Sequence, residues 1–150
     1  MALNSVILPI DPQRLFDEYL LHPETYPIWL VGADEIRAID ETWPAPGSRF
    51  HHTVGLWPLH LKDYTESVQV DSPHTFRLLV KARPLVRALV TFTVHGTDDE
   101  SILAVEEHPQ FGPADIVLQP LTDPLIHLRN QASLRRLAAL IAERHDAASS

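Results

Sequence analysis

Cysteine is absent from the 150 residues, which excludes disulfides, thiolate metal sites and a cysteine nucleophile. Glycine is scarce, five in all, and no Gly-rich loop is present to wrap a phosphate. Cations are few: 12 Lys and Arg stand against 20 Asp and Glu, and a net charge of −8 repels phosphate backbones. No nucleic-acid partner is expected. Long apolar runs are also missing, none approaching the ~20 residues that cross a bilayer, so no membrane insertion is expected. The opening Met1–Ser5 lacks the basic region and apolar core of a secretory signal, which points to a cytoplasmic protein. No Ser-His-Asp set sits in a nucleophile-elbow context.

What is present describes an ordinary folded chain. Apolar residues make up 45% and charged residues 21%, which argues against disorder or fibre. The length suits one domain, the prolines are dispersed and no repeat divides the sequence, so residues 1–150 read as a single domain. The apolar run Val6–Ile10 suits a strand. Asp11-Pro12 then supplies an N-cap and a proline at the first helical position, with Leu15, Phe16 and Tyr19 at helical spacing over about Pro12 to Leu20. His22-Pro23 ends that helix, and Pro23 to Leu30 forms a second, irregular one carrying Tyr26 and Trp29.

From Ala33 to Gln110 the pattern is of strands between turn signals. Phe50, His52, Val54 and Leu56 share one face of their strand, as do Phe76, Leu78 and Val80 of another, and Val86, Ala88, Val90, Phe92 and Val94 of a third. Thr122-Asp123-Pro124 then opens a long helix reaching roughly Glu143, with Leu125, Leu128, Leu134, Leu137, Leu140 and Ile141 as its apolar residues. The order is strand, two short helices, a run of strands, one long helix. That predicts an α+β fold in which the helix covers one face of a curved antiparallel sheet.

Several stretches resemble the START-like, or SRPBCC, superfamily, which includes the polyketide cyclase/dehydrase group. Ile10-Asp11-Pro12-Gln13-Arg14-Leu15-Phe16 is similar to the family's strand-end helix start, and His22-Pro23-Glu24-Thr25-Tyr26-Pro27-Ile28-Trp29 to its D-P-E-x-Y-P-x-W segment. Pro46-Gly47-Ser48-Arg49-Phe50 resembles its P-G-[ST]-x-[FY] strand start, and Val70-Asp71-Ser72-Pro73-His74-Thr75-Phe76 its x-D-x-P-x-x-[LF] turn. Arg129-Asn130 with Leu134-Arg135-Arg136-Leu137 resembles the closing helix of one bacterial subgroup. The resemblance covers nearly the whole chain. It implies the helix-grip fold, with the sheet wrapped around the C-terminal helix and an apolar cavity enclosed between them. Members bind lipids, sterols, polyketides or plant hormones, and some catalyse cyclisation or dehydration. The family has no universal catalytic motif, so function has to be argued from the site.

Nine histidines invite a metal hypothesis. His51 and His52 are neighbours on a strand and point to opposite faces, no helix carries a His pair at ligating spacing, and no thiolate exists. No metal site and no organic cofactor are expected. His52 shares its face with Phe50 and Val54 and reads as inward; Tyr64 reads as inward by its parity with Val68 and Val70, with Glu66 following on that face. Glu107 reads as inward with Leu103 and Val105, or as a solvated strand end. His127, Asn130, Leu134 and Ile141 fall on one side of the long helix. Trp29, Trp43 and Trp57 flank chain breaks, as rim residues or loop anchors.

The leading expectation is a small hydrophobic ligand held by a monomer or homodimer. His52, Tyr64, Glu107, His127 and Asn130 would supply polar contacts, and Phe50, Val54, Phe76, Leu78, Val90, Phe92 and Leu134 the apolar wall. The rival is a cyclase or dehydratase in which Glu107 or His127 is the base and Tyr64 stabilises an oxyanion. A third possibility is an interaction module whose grip is filled by its own side chains.

Overall fold

Alternating apolar and polar residues favour extended chain, and the structure joins these segments into one sheet. The computed structural model describes residues 2–56, 59–82, 86–109 and 115–149. Its strands are β1 (Ala2–Leu8), β2 (Ala33–Ile39), β3 (Arg49–Leu56), β4 (Leu59–Asp71), β5 (Thr75–Ala82), β6 (Val86–Gly96) and β7 (Ser101–Pro109). All pair antiparallel, in the order β1-β7-β6-β5-β4-β3-β2. Strands β2 to β7 are therefore a meander, and β1 adds to its far edge beside β7. β1 starts earlier than its apolar run suggests. Its alternate residues Asn4, Val6 and Leu8 are the covered ones, while Leu3 and Ile7 are exposed.

Local chemistry sets the crossing from β1 to β2. Asp11 caps α1 (Pro12–Leu15), accepting the Arg14 N–H at 3.1 Å, and Pro12 takes the first helical position. A π-helical turn carries the chain on to Leu20, and a 3₁₀ turn over Pro23–Thr25 leads into α2 (Tyr26–Trp29). Gly32 then reverses direction at φ +98°, a conformation other residues adopt only with strain.

The last element is α3 (Asp115–Ser149), 35 residues and about 50 Å long at the usual rise. It begins well before the expected start at Thr122. Pro120 and Pro124 lie inside it, four residues apart, so the N–H that Pro124 lacks is the one that would have met the Pro120 carbonyl. Leu134, Leu137 and Ile141 of α3 are buried against the sheet and short helices. Leu125 and Leu128, expected on the same stripe, are exposed, as are Pro124 and His127 around them. β1 meets this turn through the backbone, where Asn4 Nδ2 donates to the His127 carbonyl at 3.1 Å, and leaves these side chains uncovered.

Aromatic side chains fill the end of the sheet beneath the short helices. Phe16 lies 6.2 Å from Phe76, Trp43 lies 5.9 Å from Phe76 and 5.0 Å from Phe50, mostly edge-to-face. The Trp43 indole donates to the Leu21 carbonyl at 2.9 Å, making it a loop anchor. Tyr26 is buried with its hydroxyl donating to the Leu20 carbonyl, and burial pushes its phenol far above the ordinary range.

Candidate functional site: an apolar cavity with one polar end

Beyond this filled end the concave face opens into a cavity of about 510 Å³ between the sheet, α2 and α3. The volume lies within the range of small-molecule sites. Its walls are mostly apolar, with Trp29, Phe50 and Phe92 at one side and Val54, Leu78, Val80 and Val90 along the sheet. Small side chains among the lining residues, Ala33, Ala82, Thr65 and Ser133, leave room that aromatic rings occupy at the other end.

The polar end is built where β7 meets α3. Glu107 pairs across the sheet with Val90, both on the concave face, and is buried. Its Oε2 accepts from the Arg129 guanidinium and from Asn130 Nδ2 at 3.1 Å. Arg129 Nη2 also donates to Asn130 Oδ1 at 3.0 Å, closing a three-residue ring. Both polar atoms of the Asn130 side chain thus hold a partner, and the side chain is buried. Ser133 ties this turn to α2's exit: its hydroxyl donates to the Arg129 carbonyl at 3.0 Å and accepts the Val31 N–H at 2.9 Å.

His52 lies on the opposite side of the cavity, on β3 between Ile36 of β2 and Asp63 of β4. Its ring packs 5.6 Å from Phe50, and neither ring nitrogen has a hydrogen-bond partner among the described residues. Burial lowers its pKa, with the Tyr64 backbone and the Asp63 charge opposing the shift and Arg37 adding to it. The imidazole is therefore neutral in the physiological range. Arg37 itself is spent on backbone, donating to the carbonyls of His52 at 3.2 Å and Asp63 at 3.1 Å.

Of the residues singled out from sequence, Phe50, His52, Val54, Leu78, Val90, Phe92, Glu107, Asn130 and Leu134 line the cavity. Three do not. Phe76 is wholly buried, but in the filled end against Phe16 and Trp43, because the short helices cover its part of β5. His127 is exposed and contributes only its backbone carbonyl, which accepts from Asn4 Nδ2 at 3.1 Å. Tyr64 faces away from the cavity, and a β-bulge explains why. Register shifts between Ser67 and Gln69, so Ser67 and Val70 both turn inward although three residues apart, and Val68 is left outside. Parity counted back from Val70 thus assigns Tyr64 the wrong face.

On the outer face Tyr64 lies under two cations, with Arg49 4.2 Å and Lys81 4.4 Å from the ring centre, and its hydroxyl accepts from Lys81 Nζ at 2.7 Å. Glu66 stands beside them, accepting from Arg49 at 3.2 Å. Trp57 lies outside the described residues. His51 turns outward toward Tyr64, opposite in direction to His52. Among the described residues no three His, Asp or Glu side chains gather closely enough to hold a metal ion.

Arg129 lines the cavity and meets Glu107, a placement that sequence spacing misses because the residue lies off the apolar stripe of α3. A signal existed: an inward carboxylate on β7 requires a cation, and the facing helix offers an arginine beside Asn130. Trp29, which the sequence allows as either rim residue or loop anchor, lines the cavity while wholly buried.

Solved structures share this architecture. The START superfamily protein from Mycobacterium smegmatis superposes with a TM-score of 0.70 at 12% identity, over 95% of this chain and 97% of that one. Protein MLL2253 from Mesorhizobium loti gives 0.64 at 21% identity, over 94% and 97%. The di-domain ARO/CYC StfQ from the steffimycin biosynthetic pathway gives 0.65 at 11% identity, over 96% of this chain and 51% of that one. No protein-family model matches the sequence, and no curated protein matches it significantly. The likeness is one of fold: the chain has the START-like helix-grip architecture.

Proposed function

We propose that this START-like chain binds a small, predominantly apolar molecule in the cavity between its sheet and its C-terminal helix. The observation that carries the reading is the cavity itself, about 510 Å³ of mostly apolar-walled space with its charged groups gathered at one end and His52 across from them. Its volume argues against a grip closed by its own side chains. The cyclase or dehydratase alternative is weaker: Tyr64 and His127 stand outside the cavity, so the proposed oxyanion donor and one proposed base are lost. Glu107 remains, but it is tied to Arg129 and Asn130. A monomer or homodimer in the cytoplasm stays part of the proposal, and no helix among the described residues is long and apolar enough to cross a membrane.

Native mass spectrometry of the protein recovered from its own host's extract tests the reading. A retained small molecule, lost when Val90→Trp fills the cavity, is the expected result. A ligand-free wild-type protein that also fails to take up any apolar probe overturns it.

A further inference from the structure

The polar end of the cavity is electrically neutral but not saturated. Both bonds to Glu107 end on Oε2, leaving Oε1 without a partner among the described residues. Oε1 is also absent from the buried polar atoms that lack partners, so it retains open surface, and Glu107 lines the cavity. Arg129 spends only Nη2 on Glu107 and Asn130; its Nε and Nη1 have no partner among the described residues.

An apolar molecule filling this space would strip water from Oε1 and leave a charged acceptor unpaired, which is costly. A ligand carrying a hydroxyl or N–H at that point avoids the cost. A ligand carboxylate meets a different obstacle. Arg129 would attract it, but Glu107 on the same ring would repel it, so its desolvation goes largely uncompensated. A ligand cation fails by the same cancellation with the signs reversed.

Building on the binding reading above, we infer that Glu107 is a specificity-determining residue that accepts a hydrogen bond from an uncharged, donor-bearing apolar ligand, while Arg129 neutralises the carboxylate. The class is a neutral hydroxyl-bearing ring system, with the donor rather than any charge selecting it.

Three probes of one skeleton separate the possibilities: 2-naphthol, neutral with a donor; 2-methoxynaphthalene, neutral without one; and 2-naphthoate, an anion at neutral pH. Isothermal titration of the wild-type protein at pH 7 should give affinity for 2-naphthol at least tenfold above each of the others. In Glu107→Gln the balance shifts, because Arg129 is no longer neutralised: 2-naphthoate should gain at least tenfold relative to 2-naphthol. Equal binding of 2-naphthol and 2-methoxynaphthalene overturns the inference while leaving the cavity-binding reading intact. Tightest binding of 2-naphthoate to the wild-type protein overturns it in favour of an arginine-anchored anion. Failure of all three overturns both readings together. The wild-type series decides the matter even if Glu107→Gln does not fold.

Discussion

The two ends of the concave sheet face share a backbone pattern and differ in side-chain volume. Beneath the short helices, Phe16, Trp43 and Phe76 pack together, with Phe16 and Trp43 at centroid distances of 6.2 and 5.9 Å from Phe76. Toward α3, most inward positions of the sheet carry valine, alanine, threonine or leucine, with Phe50 and Phe92 at one side, and a cavity results. Alternation decides which residues face inward, whereas residue size and the covering helix decide whether that interior is solid. A core and a binding site are here two outcomes of one rule, divided along β5: Phe76 belongs to the first and Leu78 to the second.

The largest effect should come from emptying the solid end. Phe76→Ala removes a fully buried ring from a packed aromatic cluster and should cost about 3–5 kcal/mol. Val80→Ala faces existing space and should cost about 1 kcal/mol, since fewer contacts are lost. Urea denaturation of both variants measures the contrast. Similar losses would mean that the two ends are packed alike.

Next is the link at the polar end. Glu107→Gln breaks the ion pair with Arg129 and should destabilise by about 1–3 kcal/mol. The lower range applies because the arginine side chain is 40% exposed and can turn toward water. Leu137→Ala, in the grip between α3 and the sheet, gives a reference of about 2–5 kcal/mol for loss of pure packing. A Glu107→Gln cost above that of Leu137→Ala would make the polar ring, and not the apolar stripe, the main fastening of α3.

The fold and much of the cavity wall were legible because period two and period 3.6 report directly which face is covered. Phe50, His52, Val90 and Phe92 follow from alternation within single unbroken strands. What was not legible depends on departures from regularity or on the partner surface. The bulge at Val68 reverses the parity on which Tyr64 was placed. His127 has the expected helical phase, but its side chain is exposed and only its backbone carbonyl meets β1. Arg129 reaches the cavity from outside the stripe through the length of its own side chain.

A smaller, pH-dependent effect belongs to His52. Burial lowers its folded pKa below the unfolded value of about 6.5. The unfolded chain therefore takes up a proton that the folded chain resists, and stability falls as pH drops below about 6.5, by at most ~1.4 kcal/mol per pH unit, until the folded group titrates. Above that pH both states are neutral and the group contributes no slope. Unfolding free energies measured from pH 8 to pH 5 should decline less steeply in His52→Gln than in the wild type. Parallel curves would mean that the imidazole is hydrated in the folded protein.

The smallest effect tests the outward assignment of Tyr64. Its hydroxyl accepts from Lys81 at the surface, and its ring lies under two cations that Phe would also attract. Tyr64→Phe removes only the hydroxyl contact, made where water competes, so stability should change by no more than about 0.5 kcal/mol. Affinity for 2-naphthol should not change, because the side chain lies across the sheet from the cavity. A tenfold loss of binding in Tyr64→Phe would place the phenol back inside. That result would undo the bulge argument, since Ser67 and Val70 cannot share a face three residues apart in an unbroken strand.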